Sequence, residues 1–372
     1  MTSPERLLEI LDAKNAVPPE WRQTVASVPR ELFLPETIEV YDRLISRADS
    51  PEEWLTAAYA DVPILTQWND GAEMSAGDYR LPTVSSSMPS LMLEMLSLLN
   101  VRPGDRVYEA GAGTGLLAAW LAHRQGSANV VTAEYDATVA QQAERNLRRA
   151  GYCPRVVCGP GEQGWAAGAP YDRWIGSYTV PEVPYAAIQQ TPHGRIVTPW
   201  GGSFFSHNLA VVDVDEGVGR GRFQGYPSFM RTRIGRPHRG FLSDFLHHQG
   251  EEEQSRTGLS PLDVAGSADA LFFIGLDLPD AWHLLVEASD GSGERTLWIL
   301  ADDRKSWAAA EYVPGEDSFE IGQFGPRHLW DEVEESYEKW AGWGRPSRDR
   351  AGLTITKAAQ HVWLDTPDNV IS

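Results

Sequence analysis

Cysteine is scarce in this chain, since only Cys153 and Cys158 occur among its 372 residues. Two cysteines five positions apart do not make a disulfide framework, and no second cysteine or histidine cluster completes a zinc site around them. The pair His247-His248 has no further ligands nearby at a useful spacing. We therefore expect no metal ion and no dependence on disulfides.

Long apolar runs are also missing. The longest, such as residues 270–276, fall far short of the ~20 residues that a membrane-spanning helix needs. The first residues lack a basic start followed by an apolar stretch, which is the pattern of a secretory signal. A soluble cytoplasmic protein without a membrane partner is expected, and a monomer is the working assumption.

Basic residues are outnumbered, because 32 Lys and Arg face 52 Asp and Glu, for a net charge of −20. This balance excludes a general nucleic-acid binder, which needs a positive surface against phosphates. It also argues against docking on anionic membranes. The acidic surplus is otherwise explained by solubility.

The pattern of the chain predicts three regions. Residues 1–82 comprise an N-terminal helical segment, with apolar positions at helical spacing up to about residue 60, and a polar loop at 66–82,. Residues 83–205 alternate helix and strand, which is typical of a doubly wound α/β core with a parallel sheet. Residues 206–372 form an α+β C-terminal region, a candidate for recognition of a peptide substrate.

The individual elements follow from apolar runs and turn signals. In the core we predict strands at 106–110, 128–133, 155–158, 171–177 and 194–199, and helices at 90–100, 116–123, 138–150 and 183–190,. In the C-terminal region we predict strands at 207–214, 270–276, 282–287, 295–301 and 307–313, one helix at 324–341, and a mobile loop or boundary at 249–268.

A glycine-rich turn closes the first core strand. Residues 109–115 read E-A-G-A-G-T-G, so Glu109 precedes Gly111, Gly113, Thr114 and Gly115. This spacing departs from the dinucleotide fingerprint and is typical of S-adenosylmethionine binding, where the acid helps to hold the methionine amino group. The alternative is a glycine turn without a ligand.

A second acid is expected at the end of the next strand, where it would accept hydrogen bonds from ribose hydroxyls. Glu134 stands 19 residues after Gly115 and is followed by Tyr135. Together with the turn, it predicts S-adenosylmethionine as the cofactor. The alternative is a solvated strand end.

Four further blocks accompany this turn in order. They are residues 28–33 (V-P-R-E-L-F), 83–89 (T-V-S-S-S-M-P), 169–175 (A-P-Y-D-R-W-I) and 194–201 (G-R-I-V-T-P-W-G). With the turn, they resemble the protein-L-isoaspartate O-methyltransferases over roughly residues 18–205. The resemblance implies a Rossmann-like methyltransferase fold, S-adenosylmethionine as cofactor, and a peptide as substrate.

One cofactor contact departs from the family pattern. The family has a G-D-G loop whose acid reaches the adenine side, but this chain reads Gly159-Pro160-Gly161. Glu162 follows directly and is the candidate replacement for that acid.

The resemblance also indicates where the chemistry would occur. Ser85 matches the catalytic serine of the family, and Ser86 and Ser87 could share its task or instead cap the helix that follows,. Methyl transfer to a carboxylate needs no general base, because the carboxylate is already ionised near neutral pH. Tyr178, in the segment that follows the fourth core strand, is a candidate substrate contact.

Arginine is concentrated downstream in a stretch without Asp or Glu. Its members are Arg220, Arg222, Arg231, Arg233, Arg236, His238 and Arg239. Arginine grips carboxylates bidentately, so this stretch predicts a cationic wall for an acidic peptide, with Arg220, Arg222, Arg231 and Arg233 as substrate contacts. The alternative is salt bridging to the acidic surplus of the chain.

Tryptophan is abundant, with 14 residues, of which Trp307, Trp330, Trp340, Trp343 and Trp363 lie late in the chain. The late tryptophans suit either a peptide groove or the core of a small α+β region.

Three functions follow from these observations. The first is an S-adenosylmethionine-dependent methyltransferase of an Asp carboxylate in a ribosomally made macrocyclic peptide of the graspetide or lanthipeptide kind, leading to aspartimide and then to isoaspartate. It resembles a branch of the family with a long C-terminal addition. The alternative is repair methylation of L-isoaspartyl residues in damaged proteins. A non-enzymatic binding module is the third.

Overall fold

The computed structural model describes residues 3–73, 75, 77–237, 239–246 and 252–372. Its helices are α1 Pro4–Ala13, α2 Arg22–Ser27, α3 Pro51–Ala58, α4 Pro89–Leu99, α5 Leu116–Gln125, α6 Ala137–Arg149, α7 Tyr185–Gln190, α8 Pro261–Ala265, α9 Ala268–Asp277 and α10 Leu329–Gly342. Its first nine strands are β1 Thr37–Val40, β2 Arg43–Ser46, β3 Ile64–Trp68, β4 Pro82–Ser86, β5 Val107–Ala110, β6 Val130–Glu134, β7 Arg155–Cys158, β8 Arg173–Gly176 and β9 Arg195–Trp200. The later strands are β10 Asn208–Asp215, β11 Val218–Gln224, β12 Glu253–Thr257, β13 Ala281–Glu287, β14 Arg295–Ala301, β15 Trp307–Tyr312, β16 Phe319–Phe324, β17 Ala351–Ile355 and β18 Gln360–Leu364.

The central sheet has nine strands in the order β18-β17-β11-β10-β9-β8-β5-β6-β7. The five predicted core strands form its parallel part, with β5 between β6 and β8. Alternate residues of one strand enter different apolar clusters, as Val107 and Tyr108 do. Both faces of this part of the sheet are therefore buried, which confirms the doubly wound α/β prediction.

The sheet continues past residue 206 into the C-terminal region. β10 pairs antiparallel with β9, β11 pairs with β10, and β17 and β18 extend the same edge. The pairing is antiparallel because short turns, rather than helices, connect β10 to β11 and β17 to β18. The predicted core and the predicted C-terminal region therefore share one sheet, and the division of the chain into three domains stays a prediction.

The N-terminal region contains more strand than its sequence indicates. β1 and β2 form a hairpin, and β3 and β4 join it in a second sheet of order β2-β1-β3-β4. The predicted loop at 66–82 is therefore wrong at its start, where Thr66–Trp68 belong to β3. These strands are short and do not alternate buried with exposed residues, so they carry no period-two signal,.

The third sheet has the order β12-β16-β15-β14-β13, and α9 and α10 pack beside it. The predicted strand at 270–276 is wrong, because this run lies within α9, whose residues from Ala270 to Ile274 are all buried. A helix buried on every side shows no 3.6-residue periodicity, so an apolar run does not distinguish it from a strand. The Ser267 hydroxyl caps this helix by accepting from the Ala270 amide.

The late tryptophans belong mainly to the core. Trp307, Trp330, Trp340 and Trp363 are buried, whereas Trp343 is partly exposed. This arrangement favours the packing interpretation over a tryptophan-lined groove. In the described part of the chain, no helix combines the length and the apolar character needed to cross a membrane.

Candidate functional site

A cavity opens at the carboxyl ends of β5, β6 and β8, the edge at which open parallel sheets bind ligands. The empty space within its lining is about 920 Å³ and includes open solvent at the mouth. The predicted site residues that line it are Ser85, Ser86, Ser87, Glu109, Gly111, Gly113, Thr114, Glu134, Tyr135, Gly161, Glu162, Tyr178, Arg231 and Arg233. Four predicted site residues, Gly115, Gly159, Arg220 and Arg222, are not among the lining residues.

The glycine turn lies against the floor of this cavity. The amides of Gly111 and Ala112 both donate to the Ala133 carbonyl at 2.9 Å, which holds the turn to β6. Gly111 has φ +100°, and a Cβ there would meet the Tyr178 ring at 2.9 Å. A Cβ on Gly161 would lie 2.6 Å from the Tyr178 hydroxyl. Both glycines therefore keep space beside Tyr178 that a larger residue would fill.

Two predicted glycines serve the scaffold instead. Gly115 precedes α5 at φ +90°, and its Cα faces Ala143 of α6. The Gly159 amide donates to the Glu134 carbonyl at 2.8 Å, which holds the end of β7 against β6. Each position shapes the cavity from behind without lining it.

Glu109 has no exposed surface, and neither of its carboxylate oxygens has a hydrogen-bond partner among the described residues. Burial raises the pKa of Glu109 to about 8, and the negative charge of Glu134 adds to the rise. Buried carboxylates without a partner are costly, so this residue favours a cationic ligand. The ammonium of the methionine end of S-adenosylmethionine fits this requirement.

Glu134, at the end of β6, is 7 % exposed. Its two oxygens accept from the amides of Gly113 at 3.0 Å and Asp136 at 3.1 Å. Burial raises the pKa of Glu134, and these two amide bonds oppose the rise. Each carboxylate oxygen keeps a second lone pair, so the side chain can still accept from a diol, as the predicted ribose contact requires.

Cofactor binding is expected to depend on pH through Glu109. Burial raises the pKa of Glu109 in the folded protein from 4.5 to about 8. Between these two pH values, the cofactor-free folded protein keeps a proton on Glu109 that the unfolded chain has lost. Stability without cofactor therefore falls as pH rises through this window, and a cationic ligand that pairs with the ionised carboxylate restores it.

The measurement is calorimetry of S-adenosylmethionine binding between about pH 6 and pH 7.5, in buffers of different ionisation enthalpy. We expect affinity to increase with pH and up to one proton to be released per cofactor bound. The Glu109→Gln variant should bind about tenfold more weakly, the equivalent of one lost charge-assisted hydrogen bond, and release no proton. Equal proton release by both proteins would contradict the assignment.

The three serines of β4 and its end have different surroundings. The Ser86 hydroxyl accepts from Nε of Arg30 at 3.1 Å, and the carbonyls of Ser86 and Ser87 accept from Nη2 of the same guanidinium. Arg30 is 1 % exposed. Ser86 is therefore anchored to the scaffold through Arg30, and its share in catalysis stays a prediction.

Helix capping does not explain the serine run. The residue at the N-cap position of α4 is Met88, which makes no side-chain cap. Asp61 takes this role instead, because its carboxylate accepts from the Ser90 amide at 2.9 Å. Ser85 and Ser87 are both half-buried and line the cavity, and neither hydroxyl has a hydrogen-bond partner among the described residues, so both are free to bind a ligand; Ser85 is the one that matches the catalytic serine of the family.

Residues 229–236 are here called the arginine segment, and its residues 229–234 line the cavity. The segment pairs with Thr179, whose amide donates to the Met230 carbonyl and whose carbonyl accepts from the Thr232 amide, both at 2.8 Å. Its residues Phe229, Met230, Thr232 and Ile234 also line the cavity but carry no sequence signal, because long-range pairing alone brings them there.

Arg233 fastens the arginine segment to its surroundings. Its guanidinium lies 3.1 Å from Asp70 and 3.3 Å from Asp136, and it also donates to Gln67 and to the Thr83 carbonyl. For Arg233, the salt-bridging alternative describes the contacts better than the prediction of a substrate contact.

Glu162 fastens the same segment at a second point. Its carboxylate accepts from the Thr232 hydroxyl and lies beside Tyr178. Burial, followed by the charge of Glu162, raises the pKa of the Tyr178 phenol. Glu162 therefore holds the segment over the cavity, and its role as a replacement for the missing adenine-side acid stays a prediction.

The remaining predicted arginines do not form one wall. Arg220 and Arg222 line a separate groove with Arg195 and Trp363 on the antiparallel side of the sheet. Arg222 donates to the carbonyls of Arg350 and Asp365 and stacks on the Trp363 ring. Arg220 and Arg222 are two residues apart in β11, so their side chains point to the same face of the sheet,. Both line this groove, and neither lines the cavity. His238, His247 and His248 lie outside the described residues.

Comparison with known proteins identifies relatives of this architecture. A family profile described as "Protein-L-isoaspartate(D-aspartate) O-methyltransferase" matches residues 44–217. The protein-L-isoaspartate O-methyltransferase of Hyperthermus butylicus is 31 % identical over 224 residues, which cover 57 % of this chain and 80 % of that protein. The enzyme of the same name from Methanoregula boonei is 36 % identical over 193 residues, covering 51 % of this chain and 74 % of its own.

A solved structure extends the likeness beyond the matched region. A protein-L-isoaspartate O-methyltransferase superposes with a TM-score of 0.55 at 21 % identity, covering 98 % of this chain and 100 % of the other. At this identity the likeness concerns the fold alone. It shows that the C-terminal region has a counterpart in another protein of similar architecture.

Proposed function

The chain belongs to the protein-L-isoaspartate O-methyltransferase family, and from this membership we propose that it methylates the free carboxylate of L-isoaspartyl residues in peptides or proteins. Its cofactor is S-adenosylmethionine. The observation that carries the proposal is the single cavity shared by the unpartnered carboxylate of Glu109 and the unpartnered hydroxyl of Ser85. One suits the cationic end of the cofactor, and the other suits an anionic substrate.

Some residues of the cavity bind the cofactor, and others position the substrate carboxylate. Bound S-adenosylmethionine supplies an electrophilic methyl group on a sulfonium. Glu109 would hold the methionine ammonium and Glu134 the ribose hydroxyls, while the Ser85 hydroxyl would donate a hydrogen bond that orients the substrate carboxylate for in-line attack. The carboxylate is ionised near neutral pH, so no side chain has to remove a proton. Apolar residues Met92, Leu117 and Phe229 line the cavity and limit water,.

The hypothesis of macrocyclic-peptide maturation rested on the long C-terminal region, on the segment 177–181 and on the serine run at 85–90. The solved protein-L-isoaspartate O-methyltransferase matches this chain over nearly its whole length, so that length no longer favours a maturation enzyme. Repair-type recognition of isoaspartate is better supported by the relatives, all of which carry that name. Methylation of an Asp in a ribosomal macrocycle stays a prediction, and the assay below includes it.

The test compares three synthetic peptides of one sequence: linear with isoaspartate, linear with Asp, and cyclised with Asp. We expect methyl-ester formation, measured by mass spectrometry, on the isoaspartyl peptide and about 100-fold less on the linear Asp peptide, because only one backbone geometry presents the carboxylate to Ser85. Methylation of the cyclised Asp peptide alone would overturn the proposal in favour of maturation. Cofactor binding without methylation of any peptide would favour a binding module.

A further inference from the structure

Arg231 is the cavity-lining arginine that has no ion pair within 4.0 Å among the described residues. Its Nη1 donates to the Ser203 hydroxyl, which in turn donates to Oδ2 of Asp302. The acid is therefore reached only through a hydroxyl. A guanidinium carries five N–H donors, so Arg231 has further donors available at the cavity wall.

The other arginines of the segment differ in this respect. Arg233 pairs with Asp70 and Asp136, and Arg236 pairs with Asp70 at 3.0 Å. These contacts anchor the segment and neutralise both cations. Arg231 stands two residues before Arg233, is itself the residue that the β-bridge pairs with Thr179, and has no such partner.

A second cation shares the acid beside Arg231. Arg239 donates to the Ser203 carbonyl at 2.8 Å and stacks over the Trp282 ring. The charge of Asp302 thus acts on both arginines; burial, followed by the charge of Arg239, lowers the pKa of Arg231. In a chain of net charge −20, this end of the cavity carries a local positive surplus.

We propose that Arg231, supported by Ser203, forms a subsite for a second carboxylate of the peptide substrate, on an acidic residue next to the one that is methylated. The proposal rests on the proposed function and names its preferred substrate class, acidic peptides. A half-buried guanidinium without a direct ion pair gains from a ligand carboxylate, because little water competes for its donors. Arg231 is then a specificity-determining residue and takes no part in the transfer step.

The experiment uses two isoaspartyl peptides that differ only in Glu or Gln at the positions flanking the isoaspartate. The wild-type protein should show a kcat/KM about tenfold higher for the Glu peptide, mainly through KM, and added salt should reduce the ratio. Arg231→Gln should bring the ratio to about one, and Arg231→Lys should retain part of it. Arg6→Gln, which removes an equal charge from an exposed pair on α1, should leave the wild-type ratio unchanged.

The outcomes separate this inference from the proposed function. Methylation of both peptides with a wild-type ratio near one, or a ratio that Arg231→Gln does not change, would overturn the subsite while keeping isoaspartyl methylation. Methylation of neither peptide would overturn both. Cofactor affinity of Arg231→Gln should equal that of the wild type; if that variant does not fold, the wild-type ratio and its salt dependence decide the question.

Discussion

Replacing Ser85 with alanine should lower kcat/KM for methyl-ester formation about 100-fold and leave the affinity for S-adenosylmethionine unchanged. The hydroxyl is half-buried, lines the cavity and is free to donate to a substrate carboxylate. A hydrogen bond to a charged group contributes about 1.5–3 kcal/mol, and its loss also releases the orientation of the nucleophile. Turnover of an isoaspartyl peptide, together with calorimetry of cofactor binding, measures both halves of this expectation.

Ser86→Ala is the matched comparison, because the two serines are adjacent in β4. The Ser86 hydroxyl accepts from Arg30, so this variant should lose about 1 kcal/mol of folding free energy and keep most of its turnover,. A larger loss of turnover in Ser86→Ala than in Ser85→Ala would transfer the substrate contact to Ser86.

Replacing Arg30 with methionine should destabilise the folded protein by at least about 4 kcal/mol. The guanidinium donates to the Ser86 hydroxyl and to five backbone carbonyls, those of Ala58, Ala60, Val62, Ser86 and Ser87. Methionine fills the volume but donates nothing, so these buried acceptors lose their partner at once. Urea unfolding followed by circular dichroism measures the change.

Arg22→Met is the control for the loss of an arginine charge. Arg22 pairs with Asp12 on the surface, where both side chains are about half exposed, and such pairs contribute less than about 1 kcal/mol,. Arg30→Lys should recover only part of the loss, since an ammonium has three donors and no planar fork. Equal destabilisation by the Arg22 and Arg30 variants would contradict the role of Arg30 as the buried connector of α3 and β4.

The parallel core was predictable because its signal is local. Each of its strands is a short apolar run that ends at a turn. The two candidate cofactor acids, Glu109 and Glu134, lie near the carboxyl ends of two of these strands. The carboxyl ends of parallel strands meet at one edge, so Glu109 and Glu134 could be placed together without knowing any other contact. Beyond residue 206, strands β10, β13, β14 and β15 were predicted individually, whereas β11, β12, β16, β17 and β18 were not, and no pairing between strands was predicted.

The sequence did not predict the roles that depend on contacts between distant segments of the chain. Arg30 lies in a block, residues 28–33, that is otherwise mostly apolar, and its charge there was a usable sign of a buried role. The sequence around Arg220 and Arg231 does not show which of them reaches the cavity. Arg220 lies on strand β11, whereas Arg231 lies after this strand and pairs with Thr179. Pairing between distant segments decides which arginine reaches the cavity, and spacing along the chain does not report it.

The pairing of β11 with β17 has a consequence for how the chain is assembled. Arg222 stands opposite Gly352 in these neighbouring antiparallel strands, which lie about 4.8 Å apart,. The chain therefore leaves the central sheet after residue 224 and returns to it at residue 351, in the neighbouring strand. Residues 225–350 form the long connection between these two strands. A chain that joined residue 224 to residue 351 through a tight turn would keep the order of all nine strands. The arginine segment and the third sheet thus form one insertion between two neighbouring strands of the central sheet, and this insertion supplies residues 229–234 to the wall of the cavity.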